Sequence, residues 1–429
     1  MREPSATFAA LRIRNYRLFA IGSLLSNIGT WLQRVAQDWL VLVLTGSAGA
    51  LGITTGLQFL PVLLFSPFAG VLADRYAKRT LLNWTQSIMG ATALVMGIMA
   101  VTHTIDVWHV YVLTFIFGTA SALDVPARQA FVNEMVDRPR LANAVGLNSA
   151  SFNLARMIGP ALAGALIALM GAGVAATGWV IILNGISYGA VVISLVLMHQ
   201  SEMRPTTPIG RAKGQLRDGL RYVRSRPDII LILAIVFCAG TFGFNFQMTT
   251  ALMATEVFGK GAGEFGLLGS ILAIGSLAGS LIAARRAHPR QVVIIACAIA
   301  FGLVEILSGL APNYVMFALS LPLCGITSLL MIATANAFVQ MSVSADMRGR
   351  VMALYMCIFM GGTPLGAPIL GWVAEQWGPR WTLIGGGALT AIGTIVATAL
   401  LAGRQGVSID ARLRPFPRLT IEREQVAAA

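Results

Sequence analysis

Residues 178–198 read GWVIILNGISYGAVVISLVLM, an apolar run of 21 residues without a charged side chain. A helix needs about 20 apolar residues to cross the hydrocarbon core of a bilayer. Comparable runs recur along the 429-residue chain, which is 56% hydrophobic and has a mean hydropathy of +0.74. Only 11% of the residues are charged, whereas soluble domains carry about 25%. The composition therefore predicts an all-α membrane protein and excludes a water-soluble fold.

Breaks rich in charge, glycine or proline divide the chain into twelve apolar segments, each long enough for one helical crossing. Their bounds are 16–44, 49–73, 80–101, 107–125, 142–170, 178–198, 229–254, 264–284, 291–309, 313–341, 350–375 and 381–403. Of the 31 Lys and Arg residues, 27 lie at the termini and in alternate loops, and two lie in the opposite loops. Since basic loops stay in the cytoplasm, both termini are expected there, with the protein in the cell inner membrane. The basic excess would then face anionic inner-leaflet lipid rather than nucleic acid.

A shift of 207 residues, without gaps, superimposes the two halves of the sequence. The matched pairs include Lys78/Arg285, Arg79/Arg286, Gly118/Gly325, Gly159/Gly366 and Gly164/Gly371. This duplication predicts two six-helix bundles, residues 1–198 and 229–403, joined by a basic cytoplasmic linker at 199–228 and followed by a cytoplasmic tail at 404–429. Within the linker, residues 212–226 predict an interfacial helix. Parallel repeats of this kind are typical of transporters that rock their halves around a central site.

The loop after the second segment reads GVLADRYAKR over residues 70–79. It resembles the G-x-x-x-D-R-x-G-R-R signature of the major facilitator superfamily, with Ala77 in place of the usual glycine. Residues 156–164, RMIGPALAG, resemble the antiporter motif of that superfamily. Residues 124–130 and 346–351 resemble its exporter branch, which includes macrolide efflux pumps and the enterobactin exporter. The resemblance spans nearly the whole chain and implies the twelve-helix major facilitator fold.

By this resemblance, the 70–79 loop belongs to a cytoplasmic gate in which Asp74 holds the start of the eleventh segment. The expected members of the gate are Gly70, Asp74, Arg75, Lys78, Arg79, Arg348 and Arg350. A helix N-terminus and nearby arginines would attract the Asp74 carboxylate, and Gly70 would permit close helix packing. The alternative is a basic loop that only fixes the topology, although orientation alone needs no aspartate within the cluster.

The antiporter-like motif places Gly159, Pro160 and Gly164 within the fifth segment. Gly159 and Pro160 remove one side chain and one helical hydrogen bond, which permits a bend and close contact with the other half. The alternative is the ordinary tolerance of membrane helices for glycine and proline.

Four ionisable residues stand well inside the apolar segments, where a charge is costly and marks a candidate functional group. Arg34 and Asp38 share one face of the first segment at i, i+4 spacing, Arg156 adjoins the antiporter-like motif, and Glu305 lies near the outer end of the ninth segment. We expect Asp38, with Arg34 and Arg156, to take up and release a coupling proton, because a changing distance to an arginine changes the proton affinity of a carboxylate. A permanent Arg34–Asp38 pair is the alternative. Arg156 also suits an anionic substrate group or a structural pair with Asp38 across helices, and Glu305 suits an interfacial or packing role.

In the superfamily, the first, fourth, seventh and tenth helices line a central cavity, so the resemblance also implies a set of cavity residues. These are Asn27, Gln33, Gln37, Gln58, Tyr111, Asn148, Phe242, Phe244, Asn245, Phe246, Gln247, Asn336 and Tyr355. Aromatic and amide groups with few fixed charges suit a large amphipathic ligand. For any single phenylalanine, core packing is the alternative.

The leading hypothesis is therefore a monomeric, proton-coupled exporter of small amphipathic compounds such as antibiotics or dyes. A dedicated siderophore or secondary-metabolite exporter is the alternative, because the excess of central cations suits an anionic substrate. A receptor or structural component would not need a polar first segment facing Gly-Pro-containing helices. An enzyme is not expected, since the chain has no HExxH motif. No P-loop is present, so ATP is not expected to drive transport, and neither a cofactor nor a metal site is expected.

Overall fold

The computed structural model describes the backbone of residues 6–203, 215–286, 288–405, 407–412 and 418–423, and the side chains of residues 8–65, 76–203, 217–286, 288–344 and 346–401. The helices of this part of the chain are α1 (Arg14–Thr45), α2 (Ala48–Arg75), α3 (Lys78–Val101), α4 (Val107–Met135), α5 (Arg138–Leu169), α6 (Val174–Val196), α7 (Gln215–Arg224), α8 (Pro227–Cys238), α9 (Phe246–Leu252), α10 (Ala262–Ala284), α11 (Gln291–Gly309), α12 (Tyr314–Ser342), α13 (Ala345–Trp377) and α14 (Pro379–Gln405). Short 3₁₀ turns lie at Ala6–Arg12 and Gln200–Glu202, and π-helical turns lie at Ala239–Gly243 and Met253–Val257. Two antiparallel strands, β1 (Val407–Arg412) and β2 (Arg418–Arg423), form a hairpin in the C-terminal tail.

Eleven helical segments in the described part of the chain are long and apolar enough to cross a membrane. One of them, Pro227–Val257, combines α8, α9 and both π-helical turns. The twelfth crossing is α1, which is 32 residues long and carries the polar residues predicted for the first segment. It packs between α5 and α6 in the bundle. The twelve crossings form two six-helix repeats, so the predicted all-α architecture is confirmed.

Several helices run beyond the predicted apolar segments. The fourth segment was predicted to end at residue 125, but α4 continues to Met135. The charged residues of the extension are paired: Arg128 forms an ion pair with Asp124 at 3.0 Å, and Glu134 forms one with Lys78 at 2.6 Å. In the linker, α7 lies inside the predicted interfacial helix at 212–226, whose residues 212–214 are outside the described residues.

The two repeats use matching contacts within each half. Gly118 of α4 lies against the backbone of Gln58 in α2, where a methyl group would be 2.5 Å from the carbonyl oxygen. Its repeat partner Gly325 of α12 lies in the same way against the carbonyl oxygen of Leu272 in α10, also at 2.5 Å. Small residues let membrane helices approach this closely, so the shared glycines fix equivalent helix pairs in both halves.

The two halves meet at the end of the bundle opposite the chain termini, called here the remote end. A methyl group on Gly164 of α5 would clash with the carbonyl oxygen of Ala262 in α10. A methyl group on Gly52 of α2 would lie 2.5 Å from the carbonyl oxygen of Ala367 in α13. Toward the termini, exposed residues between 142 and 154 cover more than half of the circumference of α5. The bundle is therefore closed at its remote end and more open toward the termini.

Candidate functional site

A central cavity of about 170 Å³ lies between α1, α2, α5, α9, α10 and α13. The predicted site residues in its lining are Arg34, Arg156, Pro160, Phe244, Asn245, Phe246 and Gln247. Aromatic rings from both halves, including Trp31 and Phe265, complete much of the wall. Pockets that hold drug-sized ligands measure roughly 300–1,000 Å³, so a large substrate requires the halves to move apart around this cavity.

Asp38 lies beside the cavity and is 1% exposed. Its Oδ2 atom accepts a hydrogen bond from Nε2 of Gln247 at 2.6 Å. The same amide group also donates to the carbonyl oxygen of Arg34 at 3.3 Å. Because Asp38 and Arg34 belong to α1 and Gln247 belongs to α9, these bonds join the two halves. Oδ1 of Asp38 has no hydrogen-bond partner among the described residues.

Arg34 and Asp38 do not form the ion pair considered from the sequence. Among the described side chains, no nitrogen–oxygen contact within 4.0 Å joins either Arg34 or Arg156 to a carboxylate. The Arg34 guanidinium instead lies 4.6 Å from the ring centroid of Trp31, and the Arg156 guanidinium lies 5.7 Å from the same centroid. Nε of Arg34 is buried without a partner. Two cations thus share one indole ring at the cavity wall, and no anion in the described part of the chain pairs with them.

The antiporter-like motif holds α5 against helices of both halves. Gly159 packs on α1, where a methyl group would lie 2.5 Å from Cβ of Trp31. One residue after Pro160, the amide of Ala161 donates to Oγ of Ser270 in α10 at 3.1 Å. The predicted contact of this motif with the other half is therefore present in the geometry.

The seventh crossing is interrupted beside the cavity. After α8, the π-helical turn Ala239–Gly243 ends where the amide of Phe244 donates to the carbonyl oxygen of Ala239 at 2.8 Å. The side-chain amide of Asn245 donates to the carbonyl oxygen of Thr241 at 2.9 Å. This break turns residues 244–247 toward the cavity. The prediction of a continuous segment over 229–254 missed it, although Gly240 and Gly243 are a sequence signal for such a break.

The other predicted cavity residues lie outside the lining of this cavity. Gln33 accepts a hydrogen bond from Asn184 at 2.5 Å within the N-terminal half. Tyr355 is fully buried and donates to the carbonyl oxygen of Ile332 at 3.3 Å. The remaining members are Asn27, Gln37, Gln58, Tyr111, Asn148, Phe242 and Asn336. Their predicted contact with substrate stays a prediction.

The predicted cytoplasmic gate is described in part. The backbone of Gly70, Asp74 and Arg75 belongs to α2, but the side chains of Asp74 and Arg75 and the surroundings of Gly70 lie outside the described residues. Arg348 is exposed. Nη1 of Arg350 lies 3.4 Å from Oδ2 of Asp218 in the linker helix α7, a partner that the sequence analysis missed. The attachment of Asp74 to the start of α13 stays a prediction.

The remaining basic residues of the gate motif bind within the N-terminal half. Nζ of Lys78 lies 2.6 Å from Oε1 of Glu134 on α4. Arg79 donates to the carbonyl oxygens of Leu195 and Val196 at 2.7 and 3.0 Å, at the end of α6. These two side chains therefore hold α3, α4 and α6 together.

A buried ion pair fixes the exporter-like motif at residues 124–130. Asp124 is 4% exposed and accepts from Arg128 through Nε and Nη2, each at 3.0 Å. It also accepts from Thr85 at 2.8 Å and Gln86 at 2.7 Å on α3. Arg128 reaches α1 through a 3.0 Å bond to Ser23. Sequence reasoning identified the motif but not this three-helix network.

Glu375 links the halves at the remote end and was also missed. Its Oε1 atom accepts from the hydroxyl of Ser47 and, at 3.0 Å, from the backbone amide of Gly49. Both donors lie at the N-terminus of α2, where the helix dipole favours a carboxylate. Glu375 lies near the end of α13, so the contact closes one half on the other.

Residues 185–189 read GISYG and have the G-x-S-x-G spacing of hydrolase nucleophiles. Ser187 lies in the middle of α6, and its hydroxyl donates to the carbonyl oxygen of Asn184 at 2.8 Å. A nucleophile of this class needs a sharp strand-to-helix turn. The G-x-S-x-G spacing of residues 185–189 is therefore part of a packed helix and does not form a nucleophile of this class.

Comparison with known proteins identifies the family of this chain. The family model described as "transmembrane secretion effector" matches residues 5–422. The staphyloferrin A transporter of Staphylococcus aureus is 25% identical over 371 residues, which cover 84% of this chain and 90% of that protein. Macrolide efflux protein A of Streptococcus pyogenes is 22% identical over 395 residues, which cover 90% of this chain and 95% of that protein.

Similarity to a solved structure supports the fold alone. A bacterial homologue of the human lysosomal transporter Spinster, in an inward-facing and unoccupied conformation, gives a TM-score of 0.68 at 14% identity. The match covers 91% of this chain and 95% of that chain. The family match over residues 5–422 shows that the chain is a transporter of the transmembrane secretion effector family in the major facilitator superfamily, and the twelve crossings have the fold of that superfamily.

Proposed function

We propose that this protein is a proton-coupled exporter of amphipathic organic compounds that works by alternating access. The observation that carries the proposal is the bond from Gln247 to Asp38, which joins the halves beside the cavity. A carboxylate accepts a stronger hydrogen bond than a neutral carboxyl group. Protonation of Asp38 would therefore weaken the link between the halves, and this ties the proton to the conformational change.

The distribution of basic residues supports an orientation with both termini in the cytoplasm. In that orientation, the remote end faces outward, and the described conformation is closed to the outside. Residues 1–198 and 229–403 would act as the two rocking bundles of a monomer, linked by residues 199–228 and followed by the tail at 404–429. Substrate would enter the cavity from the cytoplasm in this state.

In the proposed cycle, the empty carrier does not open to the outside while Asp38 is charged. With Asp38 charged and the cavity empty, the bond to Gln247 keeps the outer side closed. Substrate binding would offset the loss of this bond and allow the halves to rock outward. Asp38 would then take a proton from outside as the substrate leaves. Because the protonated carrier lacks the full bond, it would move between both conformations, and release of the proton to the cytoplasm would restore the bond to Gln247 and the closed outer side.

A second candidate is an exporter dedicated to a carboxylate-bearing metabolite such as a siderophore. The observation that favours it is the position of Arg34 and Arg156, which line the cavity without a carboxylate within 4.0 Å among the described side chains. Guanidinium groups bind carboxylates through paired, charge-assisted hydrogen bonds. A relative named for transport of staphyloferrin A is consistent with such a substrate.

The test is flux in proteoliposomes under an imposed pH gradient, measured for a cationic dye, a macrolide, and catecholate and carboxylate siderophores. We expect gradient-driven efflux by the wild type and its loss in Asp38→Asn. Equal gradient-driven flux in that variant would remove Asp38 from the coupling mechanism. Flux restricted to siderophores would select the dedicated exporter over the broad one.

A further inference from the structure

Glu305 on α11 is a deeply buried carboxyl group that the proposed cycle does not use. It is 1% exposed, as little as Asp38. Its Oε2 atom has no hydrogen-bond partner among the described residues. The sequence analysis considered an interfacial or packing role, but the side chain lies inside the C-terminal bundle rather than at an interface.

Backbone surrounds this carboxyl group. A methyl group on Gly243, in the π-helical turn Ala239–Gly243, would lie 3.2 Å from Oε2 of Glu305. A methyl group on Gly386 of α14 would lie 3.7 Å from Oε1, and one on Gly387 would lie 3.1 Å from Cβ. Glu305 therefore packs directly on the break in the seventh crossing.

No cation compensates Glu305 within the described part of the chain. The elements packed against α11 are α8, α12, α14 and the turn Ala239–Gly243. The titratable groups of these elements that lie near Glu305 are the thiol of Cys324 on α12 and the guanidinium of Arg380 on α14. Arg380 donates to the carbonyl oxygens at residues 309 and 311, at 2.9 and 2.7 Å, and makes no ion pair with Glu305 within 4.0 Å. An ionised carboxylate in such a place is costly enough that the group binds a proton instead.

Phe301 connects Glu305 to the central cavity. It lies one turn earlier on α11, and its ring centroid is 5.5 Å from that of Phe244 and 5.8 Å from that of Phe246. Both of these rings line the cavity. The ring of Phe301 also contacts Gly243, where a methyl group would clash with it. A ligand that displaces Phe244 or Phe246 would thus move the turn that covers Glu305.

We propose that Glu305 is a second proton-binding site, occupied in the empty conformation and emptied when substrate enters the cavity. On release, the O–H bond of the carboxyl group breaks, the carboxylate keeps the electron pair, and water that enters from the central cavity takes the proton. The link to substrate rests on the proposed function, whereas the proton site itself does not. Competition between proton and substrate at this place is the exchange that an antiporter needs.

The proton site is tested without ligand by infrared spectroscopy of the purified full-length protein. The C=O stretch of a buried protonated carboxyl group should be present at neutral pH in the wild type and in Asp38→Asn, and absent from Glu305→Gln. Glutamine resembles neutral glutamic acid, so that variant should keep the wild-type melting temperature. If it does not fold, Glu305→Asp should keep the band at a shifted frequency. A wild-type protein without the band, or an unchanged band in Glu305→Gln, overturns the proposal.

The link to the cavity is tested by adding a macrolide at saturating occupancy. The band of the wild type should decrease and an indicator dye should record released protons, whereas Phe301→Ala should keep the band and lose its response. A band that does not respond in the wild type overturns the link. If flux by the wild type does not depend on the pH gradient but the carboxyl C=O band is present, the proposed function is wrong and the proton site at Glu305 is still supported.

Discussion

The side-chain amide of Gln247 donates a 2.6 Å hydrogen bond to the carboxylate of Asp38, and this bond crosses from one six-helix half to the other. Hydrogen bonds to charged groups contribute about 1.5–3 kcal/mol. A contribution of that size changes the ratio of two conformations by roughly ten- to hundredfold. One proton on Asp38 is therefore enough to shift the balance between the closed and open remote end.

Replacing Gln247 with methionine should open the remote end, because methionine fills similar space but donates no hydrogen bond. We expect the open fraction to rise about tenfold. Spin labels on cysteines at Thr104 and Lys260, exposed at the remote ends of the two halves, would report the distance between them. Gln58→Met is the matched control, since that side chain does not line the cavity. An unchanged distance distribution in Gln247→Met would refute the latch.

Asp38→Asn should abolish gradient-driven flux while substrate exchange between the two sides continues. Exchange needs only the rocking of the halves, whereas net pumping needs a group that gains and loses a proton. The measurement compares counterflow with flux under a pH gradient in the same liposomes. Asp106→Asn is the control, because Asp106 lies in an exposed remote loop and caps α4. Loss of both activities in Asp38→Asn would point to a structural role for this residue.

Arg34→Gln and Arg156→Gln should each weaken binding of a carboxylate siderophore by about tenfold, the loss of one charge-assisted interaction. Binding of a cationic dye should stay equal or improve. Arg34→Lys and Arg156→Lys keep the charge but lose the paired donors of the guanidinium group. Their affinity for the siderophore should therefore lie between that of the wild type and that of the glutamine variants. Equilibrium binding to the purified protein checks this. An equal loss for the cationic dye would contradict a role in anion recognition.

Asp124→Asn should destabilise the N-terminal half, because it leaves the mostly buried Arg128 without its counter-ion. Breaking one member of a buried pair costs about 3–5 kcal/mol. The double variant Asp124→Asn with Arg128→Gln should lose less stability than the sum of the losses of the two single variants. Thermal unfolding in detergent measures this, with Asp137→Asn as the control, since the Asp137–Arg140 contact is 3.9 Å and partly exposed. Equal melting temperatures of Asp124→Asn and Asp137→Asn would exclude a structural role for the network.

Asp74→Asn should slow transport while leaving substrate binding intact, because the gate acts on the conformational change rather than on the cavity. Asp218→Asn is the informative comparison, since Asp218 pairs with Arg350 in the described conformation. We expect Asp218→Asn to keep most of the transport rate, as a single exposed ion pair contributes about 0–1 kcal/mol. Turnover is measured in liposomes for both variants. A slower transport rate in Asp218→Asn than in Asp74→Asn would assign the gate to the linker helix α7.

The architecture could be predicted from the sequence because it depends on local composition and on the repeat. Apolar length marks each crossing, and the 207-residue shift pairs Gly118 with Gly325, which pack on equivalent helices, α2 and α10, in the structure. Part of the site followed from the same reasoning, since Arg34, Arg156 and residues 244–247 line the cavity.

The rest of the site depends on contacts between residues far apart in sequence. Nothing in the run around Glu375 shows that it meets the first turn of α2, and nothing near Arg350 shows that Asp218 lies beside it. The i, i+4 spacing of Arg34 and Asp38 predicts a shared face but not a pair. In the structure, Trp31 attracts the guanidinium and Gln247 takes the carboxylate. The partners of central charges are set by tertiary packing, which the spacing along one helix does not encode.

Trp31 lies under two guanidinium groups at the wall of the cavity. Its indole ring is a fluorophore in an electric field that an arriving anion or a departing arginine would alter. The chain has eight tryptophans, so replacing the others with phenylalanine would leave one intrinsic optical sensor at the centre of the transporter. Occupancy of the cavity could then be followed in real time on the unlabelled protein, turnover by turnover.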